Sequence, residues 1–234
     1  MKILKIGLIV AGTSILLTAC GGDGSDKNNY SEVTRYPVAD TFEKIYSNFS
    51  HYTLYAQGKD YKGWKMMVTT QPGKQYFING KNYLTVSTIT ESEVDGISTG
   101  RTEVEGFVTT NPFEIVSDPL PRKNHYKNVV DSHAFLPKIA NLDQSGDFFT
   151  SSTYDPKGVK VQETRRTWYL HKVSYNRANL CTKTVITSVK KAGLERDKTA
   201  TVCYEIDKDG SIYRLQVTVI TAVDGELQVV NFES

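Results

Sequence analysis

Gly96-Ile-Ser98-Thr-Gly100 has the spacing of a nucleophile elbow. In that device a serine on a sharp strand-to-helix turn stands exposed beside an oxyanion hole. The residues that follow, Arg101 to Val108, alternate like a strand, and the chain lacks a βαβ rhythm. The segment therefore predicts a glycine-containing connection between strands. The histidines are His51, His125, His133 and His171, and none has a zinc-protease or other zinc spacing. His125 and His133 flank Asp131 in a polar stretch, where surface histidines are expected. Asp143-Gln-Ser-Gly-Asp147 and Asp207-Lys-Asp-Gly210 begin like calcium loops but lack glutamate at the twelfth position. Turn chemistry explains both. No phosphate-cradling loop or cofactor fingerprint occurs, so catalytic residues, metal and cofactor are all assigned as none.

The N-terminus carries a different chemistry. Met1 to Lys5 is short and positive, and Ile6 to Leu17 is mostly apolar. That run is shorter than the roughly 20 residues of a spanning helix and fits a signal peptide. Leu17-Thr-Ala-Cys20-Gly21 follows. This resembles the lipobox of bacterial lipoproteins. The resemblance covers only about the first 22 residues, and it implies cleavage before Cys20 and lipid on the Cys20 sulfur. It also implies a cell-envelope address, with the membrane as a partner through that lipid. Gly21 in place of Asp favours the outer membrane if the host is diderm. Two or more acyl chains give stable anchoring at about 0.8 kcal/mol per buried CH₂.

Removing residues 1–19 takes away Lys2 and Lys5 and leaves 26 basic against 26 acidic side chains. No basic face for nucleic acid follows from that balance. Arg165-Arg166 and Lys190-Lys191 are isolated pairs, read as solvated strand ends. Gly21 to Asn29 contains no apolar residue and cannot offset its ordering entropy. Residues 20–36 are thus expected as a lipidated tether, and 37–234 as the folded part.

Cys181 and Cys203 remain once Cys20 is lipidated. An even pair in an exported chain reads as a disulfide. Both lie in strand patterns, and a symmetric hairpin centred near Ala192 sets 181 opposite 203.

The positioning elements follow from periodicity. Asp40 and Glu43 have capping-box spacing, and Phe42, Ile45, Tyr46 and Phe49 fall on one helical face. That face either packs a core or lines an apolar-ligand cavity. Strand patterns cover Tyr52–Ala56, Trp64–Thr70, Gln75–Ile78, Tyr83–Ile89 and Arg101–Thr110, with turns at Gln71–Lys74, Asn79-Gly80 and Val94–Gly96. Asp118 to Asn124, with two prolines, is the clearest break and separates candidate subdomains 37–118 and 129–234. A second helix is expected within Val129–Leu142, restarted at Pro137. Strands then cover Phe148–Tyr154, Lys160–Tyr175, Cys181–Val189, Thr199–Ile206, Ser211–Val223 and Glu226–Phe232. Each half has a Lys-Gly turn before a Trp strand (Trp64, Trp168), a rhyme that duplication or chance would give. Both Trp are expected as core anchors. The fold class is mainly β with one or two short helices: an antiparallel curved sheet, sandwich or partial barrel.

Three functions fit this reading. The first is a non-catalytic module at the envelope that binds an envelope protein. The second is a carrier of an acyl or other apolar ligand in a curved-sheet cavity. The third is a hydrolase whose catalytic residues form no motif.

Overall fold

The computed structural model describes residues 32–110, 112–119, 126–190, 193–194, 198–223 and 226–234. Cys20, the signal segment, His125, Ala192 and Asp224-Gly225, where the sequence predicts a hairpin turn, lie outside them. The chain opens with β1 (Arg35–Pro37) and α1 (Ala39–Ser47). The strands β2 (Ser50–Ala56), β3 (Trp64–Ile78), β4 (Lys81–Val94), β5 (Ile97–Thr110) and β6 (Phe113–Val116) follow. Next come β7 (Lys127–His133), β8 (Ile139–Asn141), β9 (Ser145–Tyr154), β10 (Lys160–Ser174) and β11 (Arg177–Lys190). The chain ends with β12 (Gly193–Leu194), β13 (Lys198–Asp207), β14 (Ile212–Val223) and β15 (Glu226–Glu233).

Turn chemistry sets the meander. Asn79-Gly80 and Asp95-Gly96 both hold positive φ, 51° and 78° in the first pair and 52° and 79° in the second. Two consecutive positive values match the right-handed twist of paired strands. Asp155 and Asp207 close their turns by one shared device. In each, Oδ1 accepts the N–H groups two and four residues on, Lys157 and Val159 in one, Asp209 and Ser211 in the other.

The main sheet runs in the order β6-β5-β4-β3-β2-β15-β14-β13-β11-β10-β9-β7, all antiparallel. It curls until it is nearly closed and barrel-like. Only Phe232–Ala56 and Glu233–Tyr55 pair at the β15–β2 joint. At the opposite seam, side chains bridge the edge strands: Ser117 Oγ accepts the Val130 N–H at 2.8 Å, and His133 Nε2 lies 3.4 Å from Glu114.

Several expectations are corrected. Val129–Leu142 holds no helix: β7 pairs with β9, and β8 pairs with β1. Strand pairing wins because β9 offers β7 a ladder from Tyr154 to Phe149, whereas Pro137 would remove a helical donor. Arg35 and Tyr36 belong to the fold rather than the tether, and Tyr36 is fully buried. Gln71–Lys74 is no turn: β3 runs through it with a bulge between Pro72 and Gln75. The bulge places the proline where a missing N–H breaks no regular ladder. Asp40 is not the N-cap either. Val38 holds that position without a side-chain bond, and Asp40 sits in the first turn. The free donors go instead to the second expected helix's segment: Val38 N–H to Lys138 O at 3.0 Å and Ala39 N–H to Pro137 O at 3.1 Å.

The sheet wraps its apolar side around α1. One core cluster joins Tyr36, Val38, Phe42 and Ile45 to Phe148, Phe149, Trp168, Leu170, Leu180 and Ile206. Trp168 is thus a core anchor. A bulge in β9 turns both Phe148 and Phe149 inward. A second cluster joins Leu54 and Met66 to Leu215, Val217, Val219, Val230 and Phe232, and Trp64 packs at its edge. A third holds Leu84, Val86 and Val108 against Tyr46.

Candidate functional site

The four residues of the helix face divide among different jobs. Phe42 is 1% exposed and meets the Phe148 ring at 4.9 Å, so it is core. Ile45 is buried in the same cluster. Tyr46 stacks on Phe113 of β6, with centroids 5.6 Å apart. Phe49 lies beyond the helix end and is 65% exposed.

Between the end of α1 and the sheet lies a cavity of about 290 Å³. Its walls are Ile45, Phe49, Tyr52, Tyr204 and Ile212, and Lys44, Asn48 and Ser211 contribute polar groups. That volume is at the small end of ligand sites. The cavity is braced on one side by Lys44, whose Nζ donates to Asp209 O at 2.9 Å and ties the helix to the β13–β14 turn. Gly210 allows this closeness: its φ is +71°, and a Cβ there would stand 2.5 Å from Thr41 Oγ1. Tyr204 joins the first two core clusters, and burial pushes its hydroxyl pKa well above the usual tyrosine value.

A second polar feature lies on the inner face. Along β10, side chains alternate between the two faces of the sheet. Arg165 points outward and pairs with Asp147 at 2.9 Å. Arg166 shares the face of Trp168 and Leu170, the buried side. Its Nε donates to Thr184 Oγ1 at 2.9 Å and its Nη1 to the Tyr46 hydroxyl at 3.0 Å. Its guanidinium carbon lies 5.1 Å from the Phe149 ring centroid. Among the described residues no carboxylate pairs with it. The reading of Arg165-Arg166 as a solvated pair is therefore corrected for Arg166. Its phase with Trp168 and Leu170 was the signal that could have placed it inside.

The remaining candidates lie apart. Ser98 sits within β5 opposite Glu93, with no strand-to-helix turn. His51 Nδ1 meets Thr69 Oγ1 at 2.8 Å, and His133 faces Glu114 across the seam. Asp131 accepts the Ser152 hydroxyl at 2.6 Å. Cys181 and Cys203 are paired residues of β11 and β13 and form the expected disulfide. It lies on the outer face, where His171 Nδ1 is 3.9 Å from Cys181 Sγ and the Tyr169 hydroxyl is 4.0 Å from Cys203 Sγ.

No family model, curated protein or solved structure matches this chain.

Proposed function

We propose that the chain is a lipid-anchored carrier that holds an apolar or amphipathic ligand within its curved sheet. The observation that carries this reading is the cavity beside α1, where Ile45, Phe49, Tyr52, Tyr204 and Ile212 converge. Concave, mostly apolar sites with a few placed polar groups are the usual form of small-molecule sites. The lipid on Cys20 and a tether from that residue would keep the carrier at its membrane, where such ligands partition.

Photo-labelling tests it. The full chain in a nonionic detergent is irradiated with a diazirine-bearing decanol, and the label is mapped by peptide mass. Labels should concentrate on the peptides of Phe49 and Ser211 and be competed by plain decanol. Ser211→Trp, which narrows the cavity from an exposed position, should reduce them at least fivefold. Even labelling over the surface, indifferent to Ser211→Trp, would contradict the proposal.

A second reading, binding of an envelope protein, is favoured by Phe135 and Ile139, which are 76% and 51% exposed. Capture by this strip would be lost on Phe135→Ser while decanol labelling persisted.

A further inference from the structure

Arg166 is the one strong charge among the inner-face groups just described, and the protein leaves part of it unused. Nε and Nη1 are committed to Thr184 and Tyr46, while Nη2 has no acceptor among the described residues. A partly buried guanidinium without a carboxylate costs desolvation that two neutral hydroxyls only partly offset. Both hydroxyls accept from Arg166, so each keeps its own proton to donate. Three guanidinium N–H bonds, one on Nη1 and two on Nη2, therefore remain beside the Tyr46 and Thr184 hydroxyl protons. The Phe149 ring lies against the cation and limits its movement.

The next rung of the sheet is Thr164 opposite Ile186, both facing inward and partly accessible. It offers methyl groups and one hydroxyl beside the cation. The helix contributes Tyr46 from the residue next to Ile45, which lines the cavity. The anion-seeking donors and the apolar cavity thus share α1 as a common wall.

We propose that Arg166, Tyr46 and Thr184 form a subsite for the carboxylate of an amphipathic ligand, whose apolar part lies on the neighbouring inner face at Ile186. Arginine suits this task because its planar donors match a carboxylate. The proposal rests on the carrier reading and gives the carried molecule a head group. The carboxylate belongs to a free medium- or long-chain acid; an anionic phospholipid would present a phosphate to the same donors.

The test compares two photo-probes of one tail length on the full chain: diazirine-bearing decanoate and diazirine-bearing decanol. At pH 8, decanoate should label β10 and β11 around Thr164 and Ile186 at least tenfold more than decanol does. Arg166→Gln should erase that preference, Arg166→Lys should keep part of it, and Tyr46→Phe should lower it severalfold. Competition by plain decanoate, and not by dioleoylphosphatidylglycerol, is expected for a free acid. Competition by the phospholipid alone would overturn the carboxylate assignment. Should Arg166→Gln misfold, Tyr46→Phe carries the decision, since it removes one hydroxyl and keeps the ring stacked on Phe113. Equal labelling by both probes, or a preference that survives both substitutions, would overturn the subsite. If decanol still marks Phe49 and Ser211 in that case, the carrier reading stands while the subsite falls. Absence of site-specific labelling by either probe would overturn both.

Discussion

Cys181 and Cys203 face one another directly across β11 and β13, with Cα atoms 4.0 Å apart and their sulfurs joined. Their neighbours across the same rung are Tyr169 on β10 and Gln216 on β14, so the bond clamps the middle of four strands. The bond crosses a hairpin whose cysteines are 22 residues apart. Closing a loop of that order constrains the unfolded chain by about 3 kcal/mol. Replacing both cysteines by alanine should lower stability by about that amount, read as the urea midpoint under non-reducing conditions. An unchanged midpoint would contradict it.

Gly146 marks a place where backbone and side chain meet. A Cβ there would stand 2.9 Å from Trp168 Nε1, and Trp168 is 3% exposed in the main core. Overpacking of this kind typically costs about 1–3 kcal/mol. Gly146→Ala should therefore destabilise the protein and blue- or red-shift the Trp168 emission. Full stability with unchanged fluorescence would argue that the ring moves freely.

The β-rich class and most strands were legible because alternation and turn residues repeat so regularly. The disulfide was legible for the same reason, since a symmetric hairpin fixed its register. Other features depended on distant partners. Val129–Leu142 looks helix-compatible until β9 is present to pair with its first residues. Asp40 has the right spacing for a cap, yet the Pro137 and Lys138 carbonyls, almost a hundred residues away, take the first helical donors. The cavity was invisible as a unit because Ile45, Phe49 and Tyr52 lie about 150 residues before Tyr204 and Ile212 in the chain. Arg166 was legible in principle, because its parity follows Trp168, but its pairing with Arg165 in sequence suggested solvent.

His171 makes stability depend on pH. It is partly buried beside Tyr169 and Cys181, and burial lowers its pKa below the usual histidine value, while Asp143 acts weakly in the other direction. The unfolded chain therefore takes up this proton first. Stability is intact above about pH 6.5 and declines as pH falls toward the lower native value, by at most about 1.4 kcal/mol per pH unit from this group. Urea midpoints should fall between pH 7.5 and 5.5, and His171→Gln should flatten that fall. A midpoint that rises on acidification would contradict the sign.

The anchor is tested by fractionation. Cys20→Ala should abolish incorporation of labelled palmitate. It should also move the chain out of the lipid-modified membrane fraction, leaving only the uncleaved signal segment to hold it. Palmitate on the Cys20→Ala protein would contradict lipidation at that sulfur.

The most direct measurement is the content of the site itself. The full chain is purified from expressing cells in a nonionic detergent, denatured, extracted with organic solvent and analysed by mass spectrometry. About one non-covalent amphiphile bearing a carboxylate should be released per chain, and Arg166→Gln should deplete it severalfold. Release of no such molecule, or of an undiminished amount from Arg166→Gln, would contradict a carrier built around α1.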